Sequence, residues 1–121
     1  MTLFPERKPL THKAAVQTFG ERVVALALKI PSGRVTTYQM LAKKAGGGGM
    51  AHRSVTGILA KAWKNGEHGI PWHRIVYSDG RVWISPETKK KRLALYKKER
   101  IELDKRNRIV DFYDKLYDRE S

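Results

Sequence analysis

The residues best equipped for chemistry stand together at Pro71-Trp72-His73-Arg74-Ile75-Val76. An imidazole can take or hold a proton, a guanidinium can clamp a carboxylate or phosphate, and an indole offers a broad apolar wall. On composition alone a tryptophan at such a loop-to-strand junction packs in a core. A second pair, Tyr38 and Arg53, carries a phenol and a guanidinium suited to nucleic acid. Other chemistries are excluded. The chain has no cysteine, which rules out disulfides, thiolate metal sites and cysteine nucleophiles. His12, His52, His68 and His73 lack ligand spacing, so no metal is expected, and no second group accompanies His73 as a general base. Gly46-Gly47-Gly48-Gly49 is not followed by the Lys-Ser/Thr of a phosphate-binding loop. No cofactor is expected.

Charge narrows the partner. Twenty-five Lys and Arg against twelve Asp and Glu leave a formal net charge of +13 over 121 residues. So strong a bias in one small domain selects polyanions, nucleic acid first. No long apolar run or lipidation signal points to a membrane, and residues 1–12 lack the apolar core of a signal peptide. A cytoplasmic, nucleoid-associated location is the expectation.

The elements that must position these residues follow from periodicity and punctuation. Residues 1–11, with Pro5 and Pro9, read as an irregular arm, and 12–121 as one domain without internal repeat. Apolar steps from Val16 to Ile30 predict a helix over 13–30, stopped by Pro31-Ser32-Gly33. Thr36-Thr37-Tyr38-Gln39 reads as a capping box with Thr36 as cap, opening a helix to about Ala45. The four glycines form a flexible turn, and a second helix runs from Ala51 to Trp63, burying Val55, Ile58, Leu59, Ala62 and Trp63. Gly57 costs about 1 kcal/mol against Ala inside a helix, so close approach of another backbone is its expected reason. Two short helices around a Gly-rich turn in a basic chain suggest a helix-turn-helix.

Beyond it, Ile75-Val76-Tyr77 and Val82-Trp83-Ile84 are expected to pair across Ser78-Asp79-Gly80 as the hairpin of a wing. Ser85-Pro86-Glu87 opens a basic helix to about Arg100, carrying Lys89-Lys90-Lys91-Arg92. Ile101–Leu103 and Ile109–Phe112 make a last hairpin. The fold class is thus mainly α with short β-hairpins, a single winged-helix-like domain containing a helix-turn-helix.

Three segments in fixed order carry a resemblance: Ile30-Pro31-Ser32-Gly33-Arg34-Val35-Thr36-Thr37-Tyr38, His52-Arg53-Ser54-Val55 and Pro71-Trp72-His73-Arg74-Ile75. Together they resemble the DNA-binding domain of O6-alkylguanine-DNA alkyltransferases, over about residues 19–117. Those enzymes carry Pro-Cys-His-Arg-Val, with the cysteine as alkyl acceptor. Trp72 at that position resembles the alkyltransferase-like proteins, which bind alkylated guanine without repairing it.

The resemblance implies a monomeric, non-enzymatic sensor of O6-alkylguanine in duplex DNA. Such a protein works from the minor groove, flips the lesion into a pocket and marks it for nucleotide excision repair proteins. Tyr38 then presses on the phosphate of the target nucleotide, and Arg53 enters the stack in its place. Ala51, His52, Ser54, Thr56 and Gly57 complete the DNA-binding helix, with Ala51, Ser54 and Gly57 small enough for close approach. Trp72, Ile75, Ser78 and Trp83 shape the pocket with Tyr38. His73, Arg74 and Glu99 stand where the enzymes activate their thiol and brace the fold, and are structural here. Trp83 replaces a frequent glycine, and the loop Lys64–Gly69 is longer than in the enzymes. The alternative from the residues alone is a winged-helix transcriptional or architectural factor without lesion specificity.

Overall fold

The computed structural model describes residues 17–117, so the arm 1–11 and the first residues of the expected 13–30 helix lie outside it. Helix α1 spans Phe19–Leu28, and its start is fixed by a capping box. Thr18 Oγ1 accepts the Glu21 N–H at 3.1 Å while Glu21 Oε1 accepts the Thr18 N–H at 2.9 Å. Val23 and Ala27, four residues apart, form its buried face.

Strand β1, Thr36–Thr37, leads directly into helix α2, Tyr38–Lys44. The cap of α2 is Thr37, one residue later than expected. Its hydroxyl accepts the Met40 N–H at 3.0 Å, because β1 carries the strand through Thr37 and the helix starts at Tyr38.

The glycine turn is not slack at its start. The Gly46 N–H meets Lys43 O at 3.0 Å and the Gly47 N–H meets Ala42 O at 2.8 Å, a Schellman closure with Gly46 at φ +93°. Gly47 is also required by space. A Cβ there would lie 2.6 Å from the Ala51 Cβ and 2.7 Å from Phe19 Cε1. Arg22 reaches across from α1 to the end of α2, its Nε donating to Ala45 O at 2.6 Å. The second helix of the motif divides in two, a 3-10 turn at Ala51–Ser54 and then α3 at Val55–Lys64. Val55 and Leu59 are fully buried, whereas Trp63 lies at the surface.

A second 3-10 turn, Trp72–Arg74, runs into strand β2, Ile75–Val76. Here the expected wing hairpin is corrected. β2 pairs in parallel with β1, Thr36 opposite Ile75 and Thr37 opposite Val76, and not with Val82-Trp83-Ile84. Both residues of β2 are buried, one against each of two apolar clusters, and a strand covered on both faces pairs inside the molecule. A tight turn follows, with the Gly80 N–H on Tyr77 O at 2.9 Å and Gly80 at φ +85°. The chain then finds other partners: Val82 N–H donates to Asn107 O at 2.8 Å and Ile109 N–H to Gly80 O at 2.9 Å.

Ser85 caps a separate turn, its Oγ accepting the Thr88 N–H at 3.2 Å, so the basic helix α4 begins at Lys89 and ends at Lys98. The last expected hairpin is present as an antiparallel bridge between Leu103 and Ile109. Helix α5, Phe112–Lys115, brings the chain back to β1, where Tyr117 N–H donates to Val35 O at 2.7 Å.

Two cores result. One joins α1, the helix-turn-helix, Ile70 and Ile75; the other joins Val35, Val76, Val82, Tyr96, Ile101 and Ile109. The β1–β2 pair lies between them and fixes the 3-10 turn of Trp72 beside the first turn of α2.

Candidate nucleic-acid interface

A cavity of about 800 Å³ opens where these elements meet. Tyr38 and Gln39 contribute from the start of α2, and His52, Arg53 and Thr56 from the second helix. Trp72 and Ile75 come from the segment between Pro71 and Val76; Tyr77, Ser78, Asp79, Arg81 and Trp83 come from the turn after it. Arg92 reaches in from α4. Among the described residues no group of three His, Cys, Asp or Glu is placed to hold a metal ion.

The aromatic groups make the cavity a slot for a flat apolar body. Tyr38 and Tyr77 have ring centroids 5.9 Å apart at 42°, and Trp72 is backed edge-on by Trp63 at 6.5 Å. Burial raises the Tyr38 pKa, Tyr77 adds to the rise, and Arg92 with the Thr56 hydroxyl opposes it. The Tyr38 phenol is therefore neutral near pH 7 and keeps a proton to donate.

Cations rim the slot. Arg81 lies over the Tyr77 ring, 5.3 Å from its centroid, and 3.9 Å from Asp79. Arg92 Nη1 donates to Trp83 O at 3.2 Å, pinning the turn to α4. Arg53 differs from both: it is exposed, and its guanidinium makes no hydrogen bond or ion pair with any described residue. A planar cation held ready at a cavity mouth can enter a base stack.

The open face of the second helix suits a close approach. Ser54, Thr56, Gly57, Ala60 and Lys61 are exposed along it with no acidic residue among them. A Cβ at Gly57 would meet nothing within 4 Å, so no backbone of this chain approaches it. Ala51 does not share this face. It turns into the junction with Gly47 and packs on the first core.

Behind the cavity is a buried polar knot. His73 Nε2 lies 2.7 Å from Glu99 Oε2, and Arg74 grips the same carboxylate through Nη2 at 2.6 Å and Nε at 3.0 Å. Gly33 N–H adds a bond to Glu99 Oε1 at 3.1 Å, and Arg74 Nη1 donates to Ile30 O at 2.8 Å. Burial opposes ionisation of Glu99, yet the donors from Arg74, His73 and Gly33 outweigh it and hold the pKa at about 2. Burial lowers the His73 pKa, and Glu99 opposes the fall. Tyr96 closes the knot, its hydroxyl donating to His73 O at 2.6 Å with its pKa pushed by burial to about 12. His73, Arg74 and Glu99 thus tie three segments together, away from the cavity lining.

Of the residues singled out from the sequence, Tyr38, His52, Arg53, Thr56, Trp72, Ile75, Ser78 and Trp83 share the cavity. Ser54 and Gly57 lie on the adjoining exposed helix face. Sequence reasoning missed Gln39, Tyr77, Asp79, Arg81 and Arg92. Tyr77 and Asp79 flank Ser78, which offered a signal; Arg92 was hidden within a basic run.

Comparison with known proteins agrees with this architecture. Residues 18–101 match the family of the 6-O-methylguanine DNA methyltransferase DNA-binding domain. A DNA base-flipping protein of Escherichia coli strain K12 is 34% identical over 94 residues, covering 76% of this chain and 70% of the relative. A Shigella flexneri protein of the same name matches to the same extent. The fold is similar to that of S. pombe Atl1, crystallised in complex with damaged DNA containing O6-carboxymethylguanine, with a TM-score of 0.62 at 21% identity. That likeness covers 84% of this chain and 95% of the other. A family match over more than half the chain, a relative above 30% identity and the shared fold lead to one conclusion: the chain belongs to the 6-O-methylguanine DNA methyltransferase DNA-binding family and is an alkyltransferase-like protein.

Proposed function

We propose that the protein is a non-enzymatic sensor that binds O6-alkylguanine in duplex DNA, rotates the lesion into the cavity and marks it for nucleotide excision repair. The observation that carries the reading is an exposed Arg53, without hydrogen bond or ion pair to the described residues, beside an aromatic slot. Extruding a nucleotide costs a few kcal/mol of stacking and pairing. Arg53 offsets this by filling the gap and hydrogen-bonding the orphaned partner base, while Tyr38 presses on the phosphate and Trp72 receives the flipped ring. The exposed small residues Ser54 and Gly57 allow the helix to enter the minor groove.

Binding stops short of repair in this reading. Trp72 presents no nucleophile, and the chain contains no cysteine. The protein acts as a monomer in the cytoplasm, on the nucleoid. No described helix is long and apolar enough to cross a membrane. The names of the relatives, a DNA base-flipping protein and a protein crystallised on a carboxymethylated guanine, support the same reading.

A duplex carrying 2-aminopurine beside O6-methylguanine tests it. Unstacking brightens 2-aminopurine, so wild type should raise its fluorescence and Arg53→Ala should abolish most of the rise. Lesion-selective binding without any rise would exclude extrusion.

A further inference from the structure

We propose that the basic run Lys89–Lys91, at the start of α4, is a second phosphate-contacting surface for the same duplex; this rests on the reading above. The first observation is position. Arg92, the next residue, lines the cavity together with the second helix of the motif and is tied to Trp83 O at 3.2 Å, so the run ends at the cavity rim. A duplex that sends a nucleotide into the cavity from the α3 side covers the mouth and meets both rims.

The second observation is that the run has no internal use. Lys89, Lys90 and Lys91 are all exposed, and no carboxylate among the described residues pairs with them. Three ammonium groups in a first turn with no acid oppose the helix dipole. A merely solvated face gains nothing from that arrangement. Phosphates relieve it.

Trp83 adds a third indication. It is 55% exposed on the same rim, an apolar ring flanked by cations, as a strand with alternating phosphates and flat bases requires. The other end of α4 supplies an internal control. Lys97 and Lys98 are as exposed, but they lie five and six residues from Arg92, more than a helical turn away.

The test compares two charge-matched variants, Lys90→Gln/Lys91→Gln and Lys97→Gln/Lys98→Gln, on a duplex with one O6-methylguanine and on its unmodified twin. Affinities are followed from 0.05 to 0.3 M salt. The first variant should bind both duplexes on the order of tenfold more weakly and lose about 2 from its log–log salt slope, as expected for two lost phosphate contacts. The second should lose less than half of that. The ratio of lesion to unmodified affinity should be the same in both variants as in wild type. Equal losses in the two variants would reduce the effect to net charge and overturn the proposal, as would no loss in either. Absence of a lesion preference in wild type would instead sink the sensor reading, while the slope comparison would still report on the surface.

Discussion

His73 and Glu99, 26 positions apart, meet at 2.7 Å through the carboxylate oxygen Oε2 that Arg74 Nη2 also grips at 2.6 Å. In an enzyme with a thiol, such an imidazole would be a base in waiting. Here the group is a joint. It fastens α4 to the 3-10 turn of Trp72 and, through Gly33 and Ile30, to the segment entering β1. Breaking a buried ion pair by removing one partner costs about 3–5 kcal/mol, because the other charge is left buried and unmatched. Glu99→Gln should therefore shift the urea midpoint strongly downward, while lesion preference survives in the fraction that remains folded. A loss of lesion preference with an unchanged midpoint would give the residue a role at the DNA instead.

The same knot sets the acid limb of stability. Glu99 has its folded pKa depressed to about 2 from 4.5, so its contribution is complete above the unfolded value and fades as pH falls towards 2. His73 is also depressed, from 6.5, and its contribution likewise fades on acidification. Both act in one direction. Thermal midpoints should be level above pH 6.5, decline below it and fall further below pH 4.5, with the last part of the decline missing in Glu99→Gln.

Gly47 and Gly48 should respond oppositely to alanine. At Gly47 the new Cβ would overlap Ala51 and Phe19 within 3 Å, and such overpacking costs about 1–3 kcal/mol. At Gly48 nothing lies within 4 Å and the backbone is not left-handed, so alanine should be neutral or stabilise by up to about 1 kcal/mol. Paired denaturation curves decide this.

Much of this was legible in sequence because it depends on local chemistry. The helices of the motif and the lysine-rich α4 follow from periodicity and punctuation, and eight of the cavity residues from the family resemblance, five of them within its three segments. The failures share a cause: they turn on which distant segment a backbone group bonds. Thr36 and Thr37 are indistinguishable as caps until the pairing of both with β2 carries the strand through Thr37 and starts the helix at Tyr38. Ile75-Val76 and Val82-Trp83-Ile84 look like two arms of a hairpin, since nothing local reveals that Val82 bonds Asn107. Arg92 reads as one more solvated cation until Trp83 is seen beneath it.

Trp72→Cys should not create an efficient alkyltransferase. The cavity is shaped around an indole, with Trp83 on its rim. Single-turnover assays with O6-methylguanine duplexes should show no rapid methylation of the variant. Rapid transfer would mean that the site retains a competent geometry.

The most direct test of the sensor account is a titration of two short duplexes, identical except for one O6-methylguanine, at about 0.15 M salt with mass spectrometry of the DNA afterwards. The fixed salt matters, since a net charge of +13 alone drives non-specific binding. A sensor binds the modified duplex clearly more tightly and leaves the methyl group on the guanine at the end. Equal affinity for the two duplexes, or a demethylated product, would contradict it.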